Sequence, residues 1–281
     1  MREITAEQIT AVVERLCIDS NYYLPQDVLQ ALQEARARET TLLGRDILDD
    51  VLKNAELART FDLPICQDTG LAVFFVEVGQ EVHIVNGGLN EAIDEGVRCG
   101  YKNGYLRKST VADPFLQRIN IGDNTPAIIH LSIVPGDKIK LTIAPKGGGS
   151  ENMSALAMLM PNAGICGMKS FVKQTVQQSG ANACPPLIVG VGVGGTMEMA
   201  ALIAKKALLR TIGQSHNNPQ VAAVEQELLA EINDLGLGPQ GLGGSITALA
   251  VHIETFPAHF ASMPVAVNLQ CHVARHKEAL I

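Results

Sequence analysis

Positive charge is scarce in this sequence: 22 Lys and Arg stand against 29 Asp and Glu, a net charge of −7. That balance excludes the basic face of a nucleic-acid binder and a polybasic membrane contact. No apolar run is long enough to span a bilayer. The opening MREITAEQIT places acids where a secretory signal needs an apolar stretch, so the chain is expected to stay in the cytoplasm. None of the six cysteines forms a C-x-x-C pair, which removes local support for a zinc ribbon or a thioredoxin-like motif. The seven histidines give no H-E-x-x-H. Tryptophan, internal repeats, low-complexity tracts and clear linkers are missing too.

What is present is a chain of 281 residues, 47% of them hydrophobic. A compact chain of that length buries roughly three quarters of its extended surface, enough for a core without staples. Residues 5 to 60 read as helices: Thr5 and Gln8 have capping-box spacing, and Ile9, Val12, Val13 and Leu16 follow with helical period. After Pro64, LAVFFVEVG reads as strand and NEAIDEGVRCG as a helix stopping at glycine. AIIHLSIVPGDKIKLTIAP has two alternating apolar runs around a PGD turn, which predicts an antiparallel hairpin. KGGGSENMSALAMLMP predicts a flexible loop entering a helix, with Ser150 or Asn152 near its cap. PPLIVGVGVGGTMEMAALIAKKALL reads strand, glycine loop, helix; a helix follows from Pro219, and SITALAVHIE and MPVAVNLQC close the chain as strands. The expected class is mixed α/β, α+β-like: a helical N-terminal segment, then a mixed sheet with an antiparallel hairpin flanked by helices.

Gly190, Gly192 and Gly195 satisfy G-x-G-x-x-G between a strand and a helix. The dinucleotide fingerprint also needs an acid about twenty residues on for the ribose. No Asp or Glu lies between Glu198 and Glu225, so close helix–strand packing is the better reading. A nucleotide-binding oxidoreductase stays as a rival. Cys17, Cys99 and Cys166 lie among apolar or helical residues and read as small buried hydrophobes. Cys66 in LPICQDTG, Cys184 in NACPPLIVG and Cys271 in NLQCHVARH sit at loop or strand edges. Spacing leaves open whether they share a metal or are separate thiols. Three thiolates on a four-iron cube would leave one iron open as a Lewis acid. Asp68, two residues from Cys66, could then move a proton, or could simply make an Asx turn. If the substrate is a dicarboxylate, Arg107 and Lys146 are candidate cations for it, and Gly147 to Gly149 would let amides approach it or else form a flexible loop. His272, Arg275 and His276 read as a polar chain end.

Taken together, CQDTG, KGGGSEN, ACPPLIVGVGVGGT, GLGPQGLGG and VNLQCHVARH resemble class I fumarate hydratases, over nearly the whole chain. The resemblance is to the α subunit of the two-subunit form, a close relative of the L-tartrate dehydratase α subunit. It implies one domain over 1–281, with 1–60 a helical N-terminal segment. It implies an oxygen-sensitive [4Fe-4S] cluster on Cys66, Cys184 and Cys271 with one open iron. It also implies proton transfer by Asp68 and a dicarboxylate site lined by Gln67, Arg107, Gly148 and Gly149. The implied reaction is reversible hydration of fumarate to L-malate, with tartrate dehydration as the alternative. KGGGSEN leans toward fumarate. Because the sequence stops at Ile281, ten residues after Cys271, a separate β subunit is expected to supply the rest of the site. No nucleic acid or membrane is implied. A non-catalytic subunit that stores or stabilises iron–sulfur is the rival from another class.

Overall fold

Thr5 and Gln8 form the reciprocal cap that their spacing predicts. The Gln8 N–H donates to Thr5 Oγ1 at 3.2 Å, and the Thr5 N–H donates to Gln8 Oε1 at 2.9 Å. The protein, a computed structural model describing residues 1–281, runs from there as follows. Strand β1 (Arg2–Thr5) leads into helices α1 (Ala6–Tyr22), α2 (Gln26–Arg38) and α3 (Leu42–Phe61). Then come β2 (Val73–Gly79), β3 (Val82–Val85), α4 (Leu89–Asn103), β4 (Ile128–Val134) and β5 (Ile139–Ile143). A short α5 (Gly148–Asn152) precedes β6 (Ala155–Leu159), α6 (Gly164–Ser179), β7 (Leu187–Gly194) and α7 (Met197–Ala207). The chain closes with α8 (Pro219–Asn233), β8 (Ala248–Phe256), β9 (Met263–Gln270) and β10 (Lys277–Leu280). The mixed α/β class is therefore as expected.

The chain divides into two units, one of Met1–Pro25, Asn54–Gly148 and Arg275–Ile281, the other of Gln26–Lys53 and Gly149–Ala274. In the first, strands lie in the order β10-β5-β2-β4, with β2 parallel to β4 and antiparallel to β5. Helices α1 and α4 cover this sheet with Ile9, Val13, Ile93, Val97 and Tyr101, against Phe74, Val76, Leu141 and Ile143. The helices themselves approach closely. A Cβ on Gly96 would lie 2.5 Å from Val13, and one on Gly100 would lie 2.7 Å from Cys17. Helix α4 runs through Gly100 to Asn103, so the expected glycine stop comes one turn later, at Gly104.

In the second unit the order is β6-β9-β7-β8, with β7 parallel to β8 and antiparallel to β9. Its core is aliphatic: Val189, Val191, Val251, Ile253, Val265, Val267 and Leu269 meet Val172, Val176, Leu228 and Ile232 from α6 and α8. The pairing of the first sheet thus recurs, although the outermost strand comes last in one unit and first in the other.

Two expectations are corrected. Strands β4 and β5 do not pair as a hairpin, because β2 lies between them. The PGDK segment instead wraps the end of β2: Gly79 N–H donates to Lys138 O, Gln80 N–H to Val134 O and Glu81 N–H to Gly136 O, at 2.8–2.9 Å. A third strand consumes the hydrogen bonds that a hairpin would have made. SALAMLMP is likewise strand β6 rather than helix. Its residues alternate in exposure, and pairing with β9 overrides the helix preference of Ala, Leu and Met.

Gly190 and Gly192 have a packing role. A Cβ on them would lie 2.2 Å from Ala204 O and 2.1 Å from Ala200 O, so only glycine lets α7 lie this close to β7. Helix α6 has no counterpart in the sequence reading.

Candidate active site

The turn after α3 is held by hydrogen bonds from several segments. Asn54 Nδ2 donates to Ile65 O at 2.8 Å, and Ile65 N–H donates to Asn21 O at 2.9 Å. Thr69 is buried, and its hydroxyl donates to Arg107 O at 3.0 Å. The Tyr101 hydroxyl, fully buried and with its pKa pushed up by that burial, lies 3.0 Å from both Thr69 O and Gly70 O. Asn124 Nδ2 donates to Gly70 O at 3.2 Å, while its Oδ1 accepts the N–H groups of Ser109 and Thr110. The turn and the Arg107 segment are therefore one hydrogen-bonded body.

Within it, Asp68 makes the Asx turn and more. Its Oδ1 accepts the Gly70 N–H at 3.0 Å, and its Oδ2 accepts the Gly148 N–H at 2.9 Å. Gly70 sits at φ 73°, and a Cβ there would lie 2.8 Å from the Lys146 main chain. A Cβ on Gly147 would lie 3.1 Å from Asp68 Oδ2. The glycine run thus wraps the carboxylate, as amides approaching an anion require. Gln67 and Arg107 are exposed beside it. Lys146 is buried, with its main chain bridged to Leu71.

In the second unit, Cys184 and Cys271 come together. Strand β7 pairs Ile188 with Gln270, which brings their ends side by side. The His272 N–H donates to Cys184 O at 3.3 Å, and the His272 ring Nδ1 lies 3.1 Å from the same oxygen. The same ring nitrogen lies 3.1 Å from the Gln240 Nε2, which can only donate, so the two contacts call for opposite tautomers. Gln240 donates to Pro185 O through both its main chain and its side chain, each at 2.9 Å. This gives GLGPQGLGG a purpose in bracing the Cys184 loop. Cys184 itself has φ 55°, the left-handed region that a non-glycine residue occupies at a cost of about 1–3 kcal/mol, typically at functional sites. A Cβ on Gly149 would lie 3.0 Å from Asn182 O, beside this loop.

All six cysteines are free thiols. Cys66, Cys184 and Cys271 are half-buried, and the Gln270 amide lies 4.0 Å from Cys271 Sγ. Cys17 is fully buried and its pKa is raised, first by burial and then by Glu14. Cys166 is exposed and Cys99 half-buried, so neither is the buried hydrophobe expected. No group of three or more His, Cys, Asp or Glu side chains is arranged to hold a single metal ion. The thiols of Cys66, Cys184 and Cys271 are soft donors of the type that an iron–sulfur cluster would use. Sequence reasoning missed Gln240, His272 and Arg275; the polar run after Cys271 was the signal, but nothing local gave it a partner.

The site thus offers a carboxylate held by two main-chain amides, two residues from Cys66. Comparison with known proteins defines it further. The family model described as fumarate hydratase (Fumerase) matches residues 10–280. The chain is 32% identical to the L(+)-tartrate dehydratase subunit alpha of Escherichia coli O157:H7, covering 100% of this chain and 93% of that one. It is 33% identical to the protein of the same name from Escherichia coli strain UTI89, over 96% and 89% of the two chains. A Methanocaldococcus jannaschii protein provisionally given that name is 41% identical over 94% of each chain. The chain belongs to the fumarate hydratase family, and is a subunit of hydro-lyase type.

Proposed function

We propose that this chain is the α subunit of an iron–sulfur hydro-lyase that adds or removes water on a four-carbon dicarboxylate, working with a separate β subunit. The observation that carries the reading is the Asp68 carboxylate, two residues from Cys66 and held by the Gly70 and Gly148 amides. Cys66, Cys184 and Cys271 are the residues that would hold a [4Fe-4S] cluster. Such a cluster, when bound, supplies an open iron as Lewis acid for the substrate oxygen.

The chain's own part follows from the chemistry of dehydration. The proton β to the leaving hydroxyl is weakly acidic, and negative charge builds on the neighbouring carboxylate as it departs. Asp68 exchanges a proton through its carboxylate, oriented by two fixed N–H donors. Exposed Arg107 takes a substrate carboxylate, with its main chain locked to the Asp68 turn through Thr69. Gln67 and the amides of Gly148 and Gly149 supply neutral donors for the developing charge.

The proposed substrate is fumarate, hydrated to L-malate. L-Tartrate, dehydrated to oxaloacetate, is the second reading, favoured by the names of the tartrate dehydratase relatives. The two alcohols differ by one hydroxyl, which a single matched or unmatched polar contact can accept or reject.

Anaerobic reconstitution with iron, sulfide and the β partner, followed by assays on both substrates, tests the reading. Visible absorbance that is lost in air, with turnover of one substrate, is the expected result. A loaded complex that turns over neither, or a chain that takes up no cluster, overturns it.

A further inference from the structure

Arg275 lies at the start of the last segment of the first unit, just before β10. Its side chain is only 4% exposed. Nη2 donates to the main-chain carbonyl of Asp68, while Nε and Nη1 are buried with no acceptor in the protein. A buried guanidinium in that condition is costly, because it has left water without replacing the hydrogen bonds and charge that water answered. Arg210 shows the usual remedy. It too has an orphaned buried Nε, but the Glu225 carboxylate lies against its Nη2. The one partner of Arg275 is a neutral carbonyl, and that carbonyl belongs to the proposed acid–base residue.

The geometry points to Arg275 as a further anion-binding residue of the dicarboxylate site. Its unspent N–H donors take a carboxylate of the bound substrate. The same side chain fixes the Asp68 turn through Nη2, so the grip on substrate and the aim of Asp68 are mechanically linked. This inference rests on the proposed function, because the anion it names is the substrate's own carboxylate. Arginine suits the task better than lysine: it can keep one N–H on the Asp68 carbonyl while another meets the ligand.

The test uses the reconstituted complex and two inert ligands, succinate and its monocarboxylate analogue butyrate. Affinities are read by calorimetry, separately from turnover. Arg275→Met is expected to weaken succinate by roughly 10- to 100-fold, the usual loss with a charge-assisted hydrogen bond, while leaving butyrate little changed. Arg275→Lys is expected to fall between the two. Adding guanidinium ion to Arg275→Ala should recover part of the succinate affinity. Circular dichroism and cluster absorbance of each variant separate these effects from unfolding. If Arg275→Met does not fold, Arg275→Lys and the guanidinium rescue decide the question. Equal weakening of both ligands, or full succinate affinity in Arg275→Met, would assign Arg275 a structural role only. If the wild-type complex neither binds succinate nor turns over a dicarboxylate, the proposed function fails and not merely this inference.

Discussion

Asp68 spends both carboxylate oxygens on main-chain amides, and this limits what a substitution there does. Asparagine keeps an oxygen for the Gly70 N–H, but turns an NH2 toward the Gly148 N–H, where two donors face each other. Asp68→Asn in the reconstituted complex is therefore expected to keep its fold and lower kcat by about 10²–10⁴-fold, the usual range for a lost general acid or base. Unchanged turnover would remove Asp68 from the chemistry. The cysteines give a second contrast. Replacing Cys66, Cys184 or Cys271 by serine should abolish the visible absorbance of the loaded protein. Cys17→Ser should leave it intact, since Cys17 lies wholly inside the α1–α4 packing. A Cys17 variant that loses the cluster while staying folded would contradict this division.

At the scale of elements, glycine spacing has two separate meanings. In β7, Gly190 and Gly192 face the carbonyls of α7, and there is no room for another atom. Gly192→Ala must push the helix off the strand, with an expected loss of about 1–3 kcal/mol or more, typical of overpacking. The measurement is the denaturation midpoint. In KGGG the contact is with a carboxylate instead. Gly147→Ala, with its Cβ 3.1 Å from Asp68 Oδ2, is expected to reduce turnover more than stability. The two runs look alike as text and differ only in what lies opposite. The same limit explains the hairpin: VPGDK has good turn chemistry, but no local pattern says that the end of β2 will occupy the turn. In SALAMLMP, alternation was visible in principle, yet the residue types argued for helix and β9 decided otherwise.

The whole molecule carries a pH dependence through buried groups. His252 is 3% exposed, and its pKa is lowered to about 4, first by burial and then by the nearby Arg210 charge. Its Nδ1 lies 3.1 Å from Ala207 O and donates to it as the neutral ring. The unfolded chain takes up this proton near pH 6.5, and the folded one only near pH 4. Stability from His252 is thus full above about pH 6.5 and declines as pH falls toward 4, by up to about 3 kcal/mol. Glu39 acts in the same direction. Burial alone would raise its pKa, but N–H donors from Thr41, Ser245 and Ile246 together hold it below the ordinary range. Its contribution is lost as pH drops through that lowered value. Urea unfolding at pH 7 and pH 4.5 should show His252→Gln to be less pH-sensitive than the native chain. Equal slopes would remove His252 from the account. No helix is long and apolar enough to cross a membrane.

Composition and pattern by themselves determined the first helices and their cap, most of the strands, the mixed class and the motif set that marks the family. Each of those depends on residues close in the chain, where propensity, capping and period act directly. Tertiary structure alone decided the order of strands, the bracing of Cys184 by Gln240 and His272, and the burial of Arg275 behind Asp68. Those depend on partners between 32 and more than 200 residues away, such as Gln240 with His272 and Arg275 with Asp68. No local preference encodes a contact of that kind; it exists only once the sheets have closed.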